Sequence, residues 1–170
     1  MMKEISEKEA LLRLTSLCAQ AEHCTYEMTE KMRRWGMDEA TQARVVDYLV
    51  EHQYVDDERY ARAFGRDKIR YNRWGRRKVE QALWQKHIAE DVRRSVLDDV
   101  AASEYVAILK PLLQQKRRTT KASSSYELNQ KLIRFALGRG FDLDIIRQCL
   151  DISDDEMPDE DTISDTSLCL

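Results

Sequence analysis

Ten basic side chains lie between Arg59 and Lys86: Arg59, Arg62, Arg66, Lys68, Arg70, Arg73, Arg76, Arg77, Lys78 and Lys86. Only Asp67 and Glu80 oppose them between Arg59 and Lys86. Guanidinium and ammonium groups in such density suit one chemistry above others, the binding of phosphates. Arg59, Arg62, Arg66, Arg70 and Arg73 recur at three- and four-residue spacing, which puts them on one face of a helix. Like charges on one face repel, so stability alone does not favour the arrangement. A polyanion would relieve that repulsion and release its counterions on binding. A second cluster, Lys110, Lys116, Arg117, Arg118 and Lys121, has no acid within it. The plain alternative for both runs is a solvated helix face. Tyr71 and Trp74 stand beside the first run, where they could stack on bases; packing against a neighbouring helix is the expected use of both.

Other chemistry finds little support. The chain has no Gly-rich phosphate loop, no His-Glu-x-x-His pattern and no nucleophile elbow. His23, His52 and His87 stand in unrelated contexts, and each is expected at the surface or in a loop. Asp56 and Asp57 are adjacent carboxylates, expected to start a helix rather than to bind metal. Cys18, Cys24, Cys149 and Cys169 form no C-x-x-C pair and read as reduced thiols of a cytoplasmic protein. His23 beside Cys24 lacks a second pair of ligands at a metal-binding spacing. No apolar leader follows Met1 and no long apolar span occurs. The expectation is a protein that is not an enzyme and needs neither metal nor cofactor.

The elements that must carry the cations are helices. Five Gly and two Pro among 170 residues leave little material for hairpins, while 35% of residues are charged, many at helical spacing. The net charge of −3 hides a segregation. Residues 151–170 hold eight acids and no Lys or Arg; residues 1–150 hold 28 basic and 23 acidic residues, a net of +5. A basic body with an acidic tail suggests a polyanion partner and an interaction tail. The tail lacks apolar periodicity and is expected to be disordered. It could fold back on the basic face, or serve only solubility.

One unit recurs three times. Met28, Met32, Gly36 and Met37 align with Val79, Leu83, His87 and Ile88, and again with Leu132, Ala136, Gly140 and Phe141. Apolar residues four apart share a helix face. Gly36 and Gly140 then tolerate the left-handed conformation that ends a helix; His87 should end its helix less comfortably. Val46, Leu97 and Leu150 continue the pattern on a following helix. A leading helix completes each copy. The first runs over roughly residues 7–22, capped by Ser6 with Glu9. The second begins near Asp56, with Tyr60, Ala61 and Phe64 facing inward. The third carries Tyr105, Ile108, Leu109, Leu112 and Leu113. Pro111 lies inside this stripe, where it costs roughly 3 kcal/mol, so a kink or break is expected there. The copies fall at 1–53, 54–100 and 101–150. Stacked neighbours would bury their apolar faces as an all-α, elongated, curved array of three tandem three-helix repeats.

The run Tyr54-Val55-Asp56-Asp57-Glu58-Arg59-Tyr60-Ala61 and the run Trp74-Gly75-Arg76-Arg77-Lys78-Val79, with Gln85-Lys86-His87-Ile88 and Arg139-Gly140-Phe141, resemble the RecX family over roughly residues 10–150. Gln53 and His87 depart from it, because the family often has Gly at both. The resemblance implies a regulator of the RecA recombinase, acting in DNA repair, homologous recombination and the SOS response. It implies a monomer that binds RecA filaments on single-stranded DNA, with double-stranded DNA as a further partner and no membrane. It also implies inhibition by blocking filament extension. Asp56, Asp57, Arg59, Tyr60, Ala61 and Gly75 are the structural signature. On charge, Arg66, Arg70, Arg73, Arg76, Arg77 and Lys78 are the expected contacts, extended by Lys116, Arg117 and Arg118. Two other readings stay open: a stand-alone helical DNA-binding protein, and a helical scaffold for protein partners.

Overall fold

The computed structural model describes residues 4–158. Among them the regular elements are helical and fall in triplets. The first is α1 (Glu7–Gln20), α2 (Thr25–Arg34) and α3 (Glu39–Glu51). The second is α4 (Asp57–Arg70), α5 (Arg76–Gln85) and α6 (Glu90–Asp98). The third is α7 (Ala102–Thr119), α8 (Ser125–Gly138) and α9 (Leu143–Cys149). Short polar side chains set several starts. Ser6 accepts from the Glu9 amide, Asp38 from Thr41 and Ser124 from Glu127, each satisfying a donor that the first helical turn leaves unpaired.

The middle helix of each triplet ends in the same way. Gly36, His87 and Gly140 have φ of +76°, +56° and +91°. The next residue donates its amide back across the turn: Met37 to Met32, Ile88 to Leu83 and Phe141 to Ala136, each at 3.1 Å. The left-handed residue itself donates to Arg33, Trp84 and Leu137. These paired bonds close the last carbonyls of a helix. Met28, Met32, Val79, Leu83, Leu132 and Ala136 are fully buried. The repeat is therefore one apolar face and one reversal, used three times. His87 holds the conformation without being Gly, and its ring stacks on Tyr26 at 4.1 Å. Gln53, after α3, does the same at φ +60°.

The described chain groups into two compact units that divide the middle triplet. One takes the chain through Phe64 with Ala82–Val96; the other takes Gly65–Gln81 and the chain from Leu97 onward. Leu14, Met28, Met32, Val45, Leu49 and Val55 centre the first. Leu109, Leu112, Leu113, Leu132, Ile133, Phe141 and Ile146 are buried in the second.

The expected break at Pro111 does not occur. α7 runs unbroken through Pro111. Pro111 and Ala107, whose carbonyl loses its partner, are both exposed, so water can replace the missing bond. The buried Leu109, Leu112 and Leu113 hold the helix together on the other side. The start of the acidic tail is also structured. Asp154–Glu156 form a 3₁₀ turn capped by Ser153, and Gln130 donates to the Glu156 carbonyl at 2.6 Å. The rest of that tail, with Cys169, lies outside the described residues.

Candidate nucleic-acid interface

The signature residues at the start of α4 are occupied within the first unit. Asp56 accepts from the Arg59 amide at 3.0 Å and so starts α4. Asp57 reaches the Thr25 amide at 2.8 Å and caps the start of α2. Arg59 donates to Glu22 at 2.6 Å and to the Gln53 carbonyl at 3.1 Å. Tyr60 and Ala61 are buried. Nearby, Cys24 is fully enclosed; burial pushes its thiol up to about 12. Such a thiol packs as an apolar group and does not act as a nucleophile. Cys18, Cys24 and Cys149 are free thiols.

The expected row of five arginines breaks up. Arg59 is held by Glu22, and Arg62 is paired with Glu58 at 3.0 Å. Arg73 is off the helix, because α4 ends at Arg70. The Tyr71 amide closes on the Asp67 carbonyl at 2.9 Å, and the Trp74 amide on Lys68 at 3.0 Å. Arg73 bridges the reversal at φ +56°. Only Arg66 and Arg70 of the row remain on α4 without a carboxylate.

Beyond this reversal, two glycines join distant parts of the second unit. The Gly75 amide donates to the Arg139 carbonyl at 2.8 Å, and the Arg77 amide to Gly140 at 2.9 Å. A Cβ on Gly75 would lie 2.3 Å from backbone atoms of Gly140 and Phe141, and one on Gly140 would lie 2.4 Å from the Lys78 Cβ. Glycine is required at both positions because backbone meets backbone. The junction fixes the start of α5, whose first turn is Arg76, Arg77 and Lys78 with no acid. Cations at that end oppose the positive pole of the helix dipole. Arg76, an expected contact, is paired with Asp98 at 2.6 Å. Asp142 also lies near; burial raises its carboxyl, while Arg77 and Arg76 draw it down.

Trp74 is half-buried, with the ammonium groups of Lys68 and Lys78 over its indole at 5.0 and 4.8 Å. It positions lysines. Tyr71, expected to pack, instead stands 80% exposed. Lys116, in the last turn of α7, lies over Phe135 at 5.1 Å, and Arg139 lies 5.7 Å from the same ring. Arg139 also reaches the Asn72 carbonyl at 3.4 Å. Phe135 and Arg139 thus connect the α7 cations to the α4–α5 reversal. Arg139 was not a charge-based candidate: it stands alone between Gly138 and Gly140, and only the glycine junction brings it in. Arg117 and Arg118 are exposed in the last turn of α7, where positive charge suits the dipole.

Among the described residues, Arg66, Arg70, Arg73, Arg77, Lys78, Lys116, Arg117 and Arg118 pair with no carboxylate within 4.0 Å. No group of His, Cys, Asp and Glu there could hold a metal ion. No helix among the described residues is long and apolar enough to cross a membrane.

Fold and site together define a tandem three-helix-repeat protein with an unpaired cationic surface. A family model for the second three-helix domain of RecX matches residues 56–97, and one for the third matches residues 103–150. The regulatory protein RecX of Vibrio parahaemolyticus is 32% identical over 155 residues, covering 89% of this chain and 94% of that protein. That of Clostridium perfringens is 29% identical over 149 residues, covering 84% and 69%. A crystal structure of regulatory protein RecX has a TM-score of 0.79 at 19% identity, covering 86% of this chain and 72% of that one. RecX from Lactobacillus salivarius gives 0.78 at 17%, covering 84% and 93%. These two structures establish likeness of fold. The chain belongs to the RecX family of regulatory proteins.

Proposed function

We propose that this protein binds RecA recombinase filaments on single-stranded DNA and inhibits recombinase and ATPase activity by blocking filament extension. The observation that carries the reading is the state of the second unit's cations. Arg73 occupies a left-handed conformation that costs an ordinary residue about 1–2 kcal/mol. Arg77 and Lys78 sit at the wrong end of a helix dipole. None of the three pairs with a carboxylate. Arrangements that disfavour the free protein make sense where an anionic partner compensates them. Acidic recombinase surfaces and DNA phosphates are both of that kind. Blocking subunit addition requires no catalysis, and several weak contacts on one body add through effective concentration.

The test is a variant with Arg70→Glu, Arg73→Glu and Arg77→Glu, added to recombinase on single-stranded DNA. ATP hydrolysis and filament length are followed. The expected result is loss of inhibition with far-ultraviolet circular dichroism unchanged. Full inhibition by the well-folded variant would remove this surface from the mechanism.

A further inference from the structure

We infer that the turn between α4 and α5 grips single-stranded nucleic acid through Tyr71, its ring taking the face of an unpaired base while Arg70 and Arg73 hold the flanking phosphates. The inference deepens the proposed function by assigning that surface a strand preference, and it rests on that reading only in bringing nucleic acid to the second unit.

Three independent observations carry it. First, Tyr71 is 80% exposed, above every other large hydrophobic side chain described, Leu12 and Trp84 at 64% included. A ring so placed adds nothing to the core. Its base-stacking alternative, Trp74, already sits beneath Lys68 and Lys78. Second, the backbone under Tyr71 is held. The Tyr71 and Asn72 amides both close on the Asp67 carbonyl, at 2.9 and 3.4 Å, and the Asn72 carbonyl accepts from Arg139. The ring is therefore presented from a fixed turn. Third, Arg73 keeps a left-handed backbone where Gly or Asn would be less strained. Arg70 and Arg73 bracket Tyr71 in the sequence, are exposed and pair with no carboxylate. Asp67, the one acid between Arg66 and Arg73, forms no ion pair with either.

An exposed aromatic ring on a turn that also carries two unpaired arginines suits a strand whose bases are unstacked. In a duplex the base faces are covered by their neighbours, whereas in a single strand each base offers one to a protein ring. Phosphates are common to both forms. Tyr71 is thus the residue that separates strandedness, and Arg70 with Arg73 supply affinity for either form.

The test uses the full chain, without recombinase, at low salt. Anisotropy is read on a labelled oligothymidylate and on a labelled hairpin duplex. Tyr71→Ala should weaken single-strand binding about tenfold while changing duplex binding less than about twofold. Tyr71→Phe should restore the single-strand affinity, since the ring and not the hydroxyl is used. Arg73→Gly should weaken both forms alike. Equal losses on both forms for Tyr71→Ala, or none on the single strand, would overturn the inference. So would a wild-type protein that binds neither probe. If that protein still inhibited the recombinase, its cations would be meeting protein carboxylates, and the proposed function would stand without this one.

Discussion

Basic side chains are treated differently in the two units. In the first, Arg13, Arg33, Arg44, Arg59, Arg62, Lys86 and Arg94 each hold a carboxylate, at distances from 2.6 to 3.8 Å; Lys8, Lys31 and Arg34 do not. In the second, Arg76, Lys131 and Arg147 do, while Arg66, Arg70, Arg73, Arg77, Lys78, Lys116, Arg117 and Arg118 do not. The division runs through α4 itself. Arg62 is neutralised one turn before Arg66, which is not. Exposed ion pairs contribute at most about 1 kcal/mol, so the contrast is less about stability than about which charges a partner can meet.

The largest test of this contrast attacks the junction that places the open charges. Gly75→Ala should cost about 2–3 kcal/mol, because its Cβ cannot fit against Gly140 without moving backbone. Urea denaturation would measure the loss. Gly36→Ala meets no atom within 4 Å and strains only the turn, so it should cost about 1–2 kcal/mol.

Salt dependence sharpens the comparison. Reversing Arg44 and Arg94 in the first unit should leave the slope of log affinity against log salt for single-stranded DNA unchanged. Reversing Arg70 and Arg77 should lower its magnitude by about 0.7 for each phosphate no longer neutralised. Similar slopes for both pairs would erase the distinction between the units.

A smaller effect separates stability from binding. Gln53→Gly and Arg73→Gly both relieve a left-handed residue, and each should raise stability by about 0.5 kcal/mol, the strain relieved exceeding the entropy that Gly adds to the unfolded chain. Only Arg73→Gly should also weaken binding. A stabilised Arg73→Gly that binds normally would make the strained arginine an accident of the turn.

The smallest effect concerns pH. The Ser123 hydroxyl, then its amide, then Lys131 hold the Glu127 carboxyl at about 2, below its ordinary 4.5. A depressed acid stabilises the folded state fully above the ordinary value, and that contribution fades as pH falls toward 2. The protection of the amides at the start of α8, read as exchange relative to the unfolded-chain rate at the same pH, should therefore fall below pH 4.5, and Glu127→Gln should flatten the response.

Much of the fold was legible because local rules suffice for it. Apolar residues four apart, followed by Gly36 or Gly140, predict a helix and its reversal in the first and third copies, and the same spacing found His87 in the second. The reversal forms at His87 and Gln53 despite the missing glycine, since burial of the following Ile88 and Val55 outweighs a local penalty of this size. Pro111 misled for a related reason: the stripe of Leu109, Leu112 and Leu113 marked the buried side of α7, and the Ala107 carbonyl that Pro111 leaves without a partner lies on the other, where water can reach it. The cations were legible as a cluster and illegible as a site. Arg66 and Arg62 carry the same charge at the same spacing, and the distinction rests on Glu58. Tyr71 and Trp74 are near neighbours with opposite fates, set by the lysines over the indole.

By itself the sequence determined three helical triplets, their reversals and the excess of positive charge in the body, because helix periodicity and capping act over a few residues. Tertiary structure alone decided which of those charges stay unneutralised, which aromatic ring faces solvent, and that Arg139 joins the α4–α5 turn. Each of those outcomes depends on groups brought together from far apart in the chain, through two glycines whose backbones touch, and no local spacing encodes such a meeting.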